Sequence, residues 1–149
     1  TPVHPVGPYG QPITYVTIKK HEDDIAILKQ QIGILIKQEY LNEDEITVLV
    51  SDKTARDRLT ANGKLGQYPV CTGTELKEKH ISIETVRRFK GLDSPVIILY
   101  QPKTYINENE MIYTGISRAQ VKLIIVGDKD SIGFLKSKQP ETNQWAELV

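Results

Sequence analysis

Apolar residues recur along this chain with two alternating periods, and the alternation predicts the architecture. Ile13-Thr14-Tyr15-Val16-Thr17-Ile18 and Ile46-Thr47-Val48-Leu49-Val50 are β-branched runs that read as strands, as do Ile81–Val86, Val96–Tyr100 and Leu123–Val126. Between them the spacing changes. Ile25, Leu28, Ile32, Leu35 and Ile36 fall on one face of a helix that Asp23 or Asp24 can cap. Ser51-Asp52 is capping chemistry for a short helix through Leu59, closed by Asn62-Gly63. A helix from about Glu108 to Gln120 puts Met111, Ile112, Gly115, Ile116 and Ala119 on one stripe, and Asp128 or Asp130 caps a last one through Leu135. Residues 63–80 hold Gly63, Gly66, Pro69 and Gly73 and read as loop, with room for one short strand. Strands alternating with helices predict an α/β domain whose mostly parallel sheet carries helices on both faces.

Composition narrows the chemistry. A chain of 149 residues suits one domain with a sizeable core. Its 19 Lys and Arg balance 19 Asp and Glu, so any contact with nucleic acid must come from a local basic patch and not from a global field. A single cysteine, Cys71, excludes an internal disulfide and a thiolate metal cluster, and His4, His21 and His80 have no metal-ligand spacing. No apolar run reaches the ~18 residues of a membrane helix. No secretion signal is visible, so the expected setting is cytoplasmic. Residues 1–12, rich in Pro and Gly, read as a linker or cut end, residues 13–137 as the domain, and residues 138–149 as a tail.

In a parallel sheet, the residues that follow strands share the carboxyl edge and those that precede strands share the amino edge. Ser51, Lys53 and Arg56 follow one predicted strand, and Arg87, Arg88 and Phe89 follow another, so the carboxyl edge should carry a positive strip with an aromatic face. Cations interleaved with aromatics hold single-stranded nucleic acid; a solvated basic rim with Phe89 in the core is the other reading. Asp93 and Arg118 precede strands and belong to the amino edge. There Arg118 either neutralises a phosphoryl group supplied with a second domain or bridges to Asp93 or Glu110. The chain has no Gly-x-x-x-x-Gly-Lys-Ser/Thr phosphate loop of its own.

Two motifs now carry a resemblance. Thr85-Val86-Arg87-Arg88-Phe89-Lys90-Gly91-Leu92-Asp93 resembles motif V of the UvrD/Rep-like superfamily 1 DNA helicases, and Ile112-Tyr113-Thr114-Gly115-Ile116-Ser117-Arg118-Ala119 resembles their motif VI. Their order and spacing match, Ile46–Leu59 is similar to the segment called motif IVa, and the resemblance covers residues 44–128. It implies a P-loop NTPase (RecA-like) fold, here the second motor domain of an ATP-dependent helicase, spanning residues 13–137. Arg118 is then the arginine finger, Gly91 and Asp93 approach the nucleotide, and Ser51, Lys53, Arg56, Arg87, Arg88 and Phe89 contact single-stranded DNA. The cofactor implied is ATP with magnesium, held with an ATP-binding domain in cis. Hydrolysis is expected of the full-length protein and not of this chain alone. Arg87 stands where the family commonly has His, Asp93 replaces Glu, and the family's Asn-Tyr-Arg-Ser segment is absent. A helicase-like module that binds or regulates without catalysis is the rival expectation, and a small domain binding a nucleotide by itself is a third.

Overall fold

The computed structural model describes residues 13–19, 23–73, 77–89, 94–100, 119–130 and 132–133. In chain order the elements are β1 (Ile13–Ile18), α1 (Asp24–Lys37), a 3-10 turn (Glu43–Glu45), β2 (Ile46–Val50), α2 (Lys53–Thr60), β3 (Lys64–Leu65), β4 (Tyr68–Cys71), β5 (Ile81–Thr85), α3 (Val86–Phe89), β6 (Ser94–Tyr100) and β7 (Ala119–Asp128). They build one seven-stranded sheet in the order β1-β7-β6-β2-β5-β4-β3, parallel throughout except for the antiparallel β3–β4 pair. The expected α/β class and its mostly parallel sheet are therefore observed.

The central strands explain why apolar runs, and not alternation, mark this sheet. Every residue of β2 and β5 is buried, as strands covered on both sides must be. On one face Ile46, Val48, Val50, Ile83 and Ile98 pack with Leu28, Ile32 and Leu35 of α1 and Leu59 of α2. On the other, Leu49, Ile97, Leu99, Leu123 and Ile125 pack with Val86 and Phe89 of α3 and with Ile132. Among the described residues the second face thus has only the four-residue α3 and the turn at 132 as helical cover.

Helix starts follow the capping chemistry in the sequence. Asp23 caps α1, its carboxylate accepting from the backbone N–H of Ile25 at 3.0 Å. Asp52 caps α2, accepting from Ala55 N–H at 2.9 Å. Each satisfies a backbone donor that the first helical turn leaves free.

Three boundaries differ from expectation. Residues 63–80 contain two strands, not one: β3 and β4 form a hairpin whose two-residue turn begins at Gly66, with φ +62, the left-handed geometry such turns require. Val86 leaves the third predicted strand because the Thr85 hydroxyl accepts from Arg88 N–H (3.4 Å) and starts a helical turn. Ala119 and Gln120, expected to end a helix, open β7 instead, with Ala119 in register with Ser94 of β6. Residues 108–118 of that expected helix lie outside the described residues, as does the last expected helix beyond residue 133.

Candidate nucleic-acid and nucleotide edges

The parallel register gathers the expected nucleic-acid residues at one edge of the sheet. β2 and β5 are neighbours, with Val50 opposite Thr85, so Ser51-Asp52-Lys53 and Val86-Arg87-Arg88-Phe89 leave the sheet side by side at its carboxyl edge. The opposite rim is marked by the Ser94–Ala119 pair at the start of β6 and β7. Gly91, Asp93 and Arg118 lie outside the described residues; Asp93 and Arg118 are the covalent predecessors of that pair. Seven residues of β6 at ~3.3 Å each put about 20 Å between the rims.

At the carboxyl edge the structure sorts the six expected nucleic-acid residues. Lys53, Arg87 and Arg88 are exposed, and Ser51 is half-buried beside them. Neither Lys53 nor Arg87 forms an ion pair with a described residue. Lys53 also occupies the first position of α2, where the helix dipole disfavours a cation, so local helix energetics do not account for it.

Two of the six are corrected. Phe89 is only 4% exposed and packs in the second-face core, so it offers no face to a base. The reason is local: once the Thr85 hydroxyl starts α3, Val86 and Phe89, three apart, turn inward together while Arg87 and Arg88 turn out. Arg56 is the second. Its side chain is 13% exposed and its guanidinium is spent on protein, with Nη1 donating to Glu84 at 3.0 Å and Nε to Asp57 at 3.3 Å.

Glu84 is the residue that sequence reasoning missed. Its side chain is fully buried, yet it is charged and fully bonded. Oε1 accepts from Arg56 Nη1 and from Thr85 N–H (2.9 Å), Oε2 accepts from Gly73 N–H (2.8 Å), and Arg88 Nη1 stands 3.9 Å from Oε2. Burial raises the pKa of its carboxyl, but the Thr85 N–H, Arg56 and the Gly73 N–H outweigh burial and hold it below the usual carboxylate range. Gly73 meets it with φ +104, a backbone state open to glycine. The signal available in the sequence was a lone Glu inside the apolar run Ile81-Ser82-Ile83-Glu84-Thr85, directly before two arginines.

A second polar cluster ties α1, α2 and β6 together. Arg58 grips Asp24 with both terminal nitrogens, at 3.1 and 3.2 Å, and the Tyr100 hydroxyl donates to the same carboxylate. At the amino edge, Thr47 donates its hydroxyl to Ser94 Oγ (3.0 Å), and Ser94 Oγ lies within reach of the carbonyls of Val96 (3.1 Å) and Glu45 (3.3 Å). Among the described residues no buried side-chain nitrogen or oxygen lacks a partner, no group of three or more acids, histidines or cysteines is placed to hold a metal, and no helix is long and apolar enough to cross a membrane.

A family model for the UvrD-like helicase C-terminal domain matches residues 80–126, the stretch that holds β5, α3, β6 and most of β7. No curated protein matches the chain. Among solved structures, the C-terminal domain of a possible DNA helicase from Lactobacillus plantarum WCFS1 is similar in fold, with a TM-score of 0.55, 14% identity, and coverage of 93% of this chain and 80% of that one.

Proposed function

We propose that this chain is the C-terminal, RecA-like motor domain of an ATP-dependent superfamily 1 DNA helicase. Its carboxyl rim contacts single-stranded DNA, and its amino rim serves a nucleotide held by an ATP-binding domain in cis. The observation that carries the reading is the division of one parallel sheet into two rims. Lys53, Arg87 and Arg88 project beyond adjacent strands at one, and the in-register Ser94–Ala119 pair sits at the other. The match to UvrD-like helicase C-terminal domains over residues 80–126 supports it.

In this reading ATP, with its magnesium, rests on the phosphate loop of the partner domain, and Gly91, Asp93 and Arg118 complete the pocket. Arg118 supplies a planar, permanently charged fork to the phosphoryl oxygens, where charge accumulates in the transition state. With Phe89 and Arg56 removed from the DNA-facing set, the DNA contact reduces to phosphate contacts by Lys53, Arg87 and Arg88, supported by Ser51. Binding by the isolated domain should therefore be weak, tolerant of sequence and steeply salt-dependent.

The test is steady-state ATPase kinetics, with single-stranded DNA, on a protein carrying this domain and its ATP-binding partner. Arg118→Ala should lower turnover by about 10³–10⁵ with little change in nucleotide affinity. Near wild-type turnover of Arg118→Ala would assign Arg118 to a structural bridge, whereas absence of ATP turnover by the unsubstituted protein would leave the non-catalytic binding module as the better description.

A further inference from the structure

Among the described residues, Glu84 is the only charged side chain in the buried set. A buried ion pair contributes little stability over a well-packed apolar replacement, because desolvation offsets the attraction. Stability therefore gives no sufficient reason for this carboxylate, but its partners suggest another. They come from the ends of three adjacent strands, in the order β2-β5-β4. Arg56 belongs to α2, the helix that follows β2; Thr85 ends β5; Gly73 lies just beyond β4. Arg56 is three residues from Lys53 on the same short helix, and Thr85 both donates to Glu84 and caps the turn that carries Arg87 and Arg88.

We infer that Glu84 is the positioning residue of the carboxyl rim. By binding Arg56, Thr85 N–H and Gly73 N–H at once, it fixes α2 against α3, so that Lys53, Arg87 and Arg88 meet successive phosphates of a single strand at a set spacing. It touches no DNA itself. Arg88, 3.9 Å from Oε2, is held near the carboxylate without a hydrogen bond and stays available to a phosphate. The inference rests on the reading of this rim as a single-stranded DNA contact.

The sign of one substitution separates positioning from simple charge. Glu84→Gln keeps the volume but sets an amide NH2 against donors that the carboxylate now serves, whichever way the amide turns. It also removes a negative charge from beneath a cationic rim, which by electrostatics alone strengthens phosphate binding. Positioning predicts the opposite. Fluorescence anisotropy of the 149-residue chain with labelled oligo-dT, from about 50 to 200 mM salt, reads both the affinity and the number of phosphates engaged.

The expected result for Glu84→Gln is binding about three- to tenfold weaker, with the log–log salt slope reduced by about 0.7, the equivalent of one phosphate contact. Its circular dichroism spectrum should match wild type. If Glu84→Gln does not fold, Arg56→Lys keeps the charge, loses the fork, and should shift affinity and slope in the same direction by less. Equal or tighter binding by the folded variant, with Lys53→Ala still weakening it, overturns the role of Glu84 and leaves the rim reading standing. Absence of oligo-dT binding by wild type, or indifference to both Lys53→Ala and Arg87→Ala, overturns the two together.

Discussion

Phe89 separates a stacking platform from a core residue most sharply, because the two roles predict different quantities. Its ring is almost wholly buried with Leu49, Val86, Ile97, Leu99, Leu123 and Ile125. Truncation to alanine removes the ring and leaves a cavity against a sheet that relaxes only partly, at a cost of about 3–5 kcal/mol. For a domain of this size, about 2–4 °C of melting temperature accompanies each kcal/mol, so Phe89→Ala should melt about 6–20 °C lower. Phe89→Leu keeps an apolar side chain of similar reach and should cost about 1 kcal/mol. Neither should change oligo-dT affinity when measured well below the variant's melting temperature. A platform that stacks bases would lose about 1–3 kcal/mol per base in both variants and little stability in either. Thermal melts and anisotropy on the same samples decide the matter. A melting temperature within ~2 °C of wild type for Phe89→Ala, together with a loss of affinity, would refute the placement of this ring in the core.

Two further outcomes follow from the polar clusters. Burial raises the pKa of the Asp24 carboxyl, but hydrogen bonds from Arg58 and Tyr100, the Arg58 charge and the Ile25 N–H outweigh burial and hold it below the ordinary aspartate value. A depressed folded-state pKa stabilises above the unfolded value of ~3.9 and loses that contribution as pH falls through the folded value. Urea unfolding of Asp24→Asn should therefore trail wild type by about 1 kcal/mol at neutral pH, discounted for the solvent-exposed Arg58 partner, with the gap closing in strong acid; a gap that persists unchanged at low pH would contradict the ion-pair account. Ser94→Ala should cost about 1–3 kcal/mol, since the buried Thr47 hydroxyl loses its acceptor, and the double variant Thr47→Val/Ser94→Ala should recover part of it; additive losses in the cycle would mean that the two hydroxyls act independently.

The sequence by itself determined the central strands, the caps of the first two helices and the placing of Lys53, Arg87 and Arg88 on one rim. Burial of a strand on both faces writes an apolar run, and a cap needs one Asp beside a helical face, so Ile46–Val50, Ile81–Thr85, Asp23 and Asp52 were legible from residues a few positions apart. Parallel connectivity then assigns strand-following and strand-preceding residues to opposite edges without any coordinate. Only the tertiary structure decided which of those edge residues remain free. Arg56 and Glu84 are 28 positions apart, Asp24 and Arg58 are 34 apart, and Asp24 and Tyr100 are 76 apart. No local pattern encodes such pairs, because they depend on which strands become neighbours. The same holds for Phe89, whose inward turn follows from one hydroxyl of Thr85 starting a helical turn where the apolar run alone predicted more strand. Periodicity records how much of a segment is buried, whereas the partner of a buried charge is set by packing.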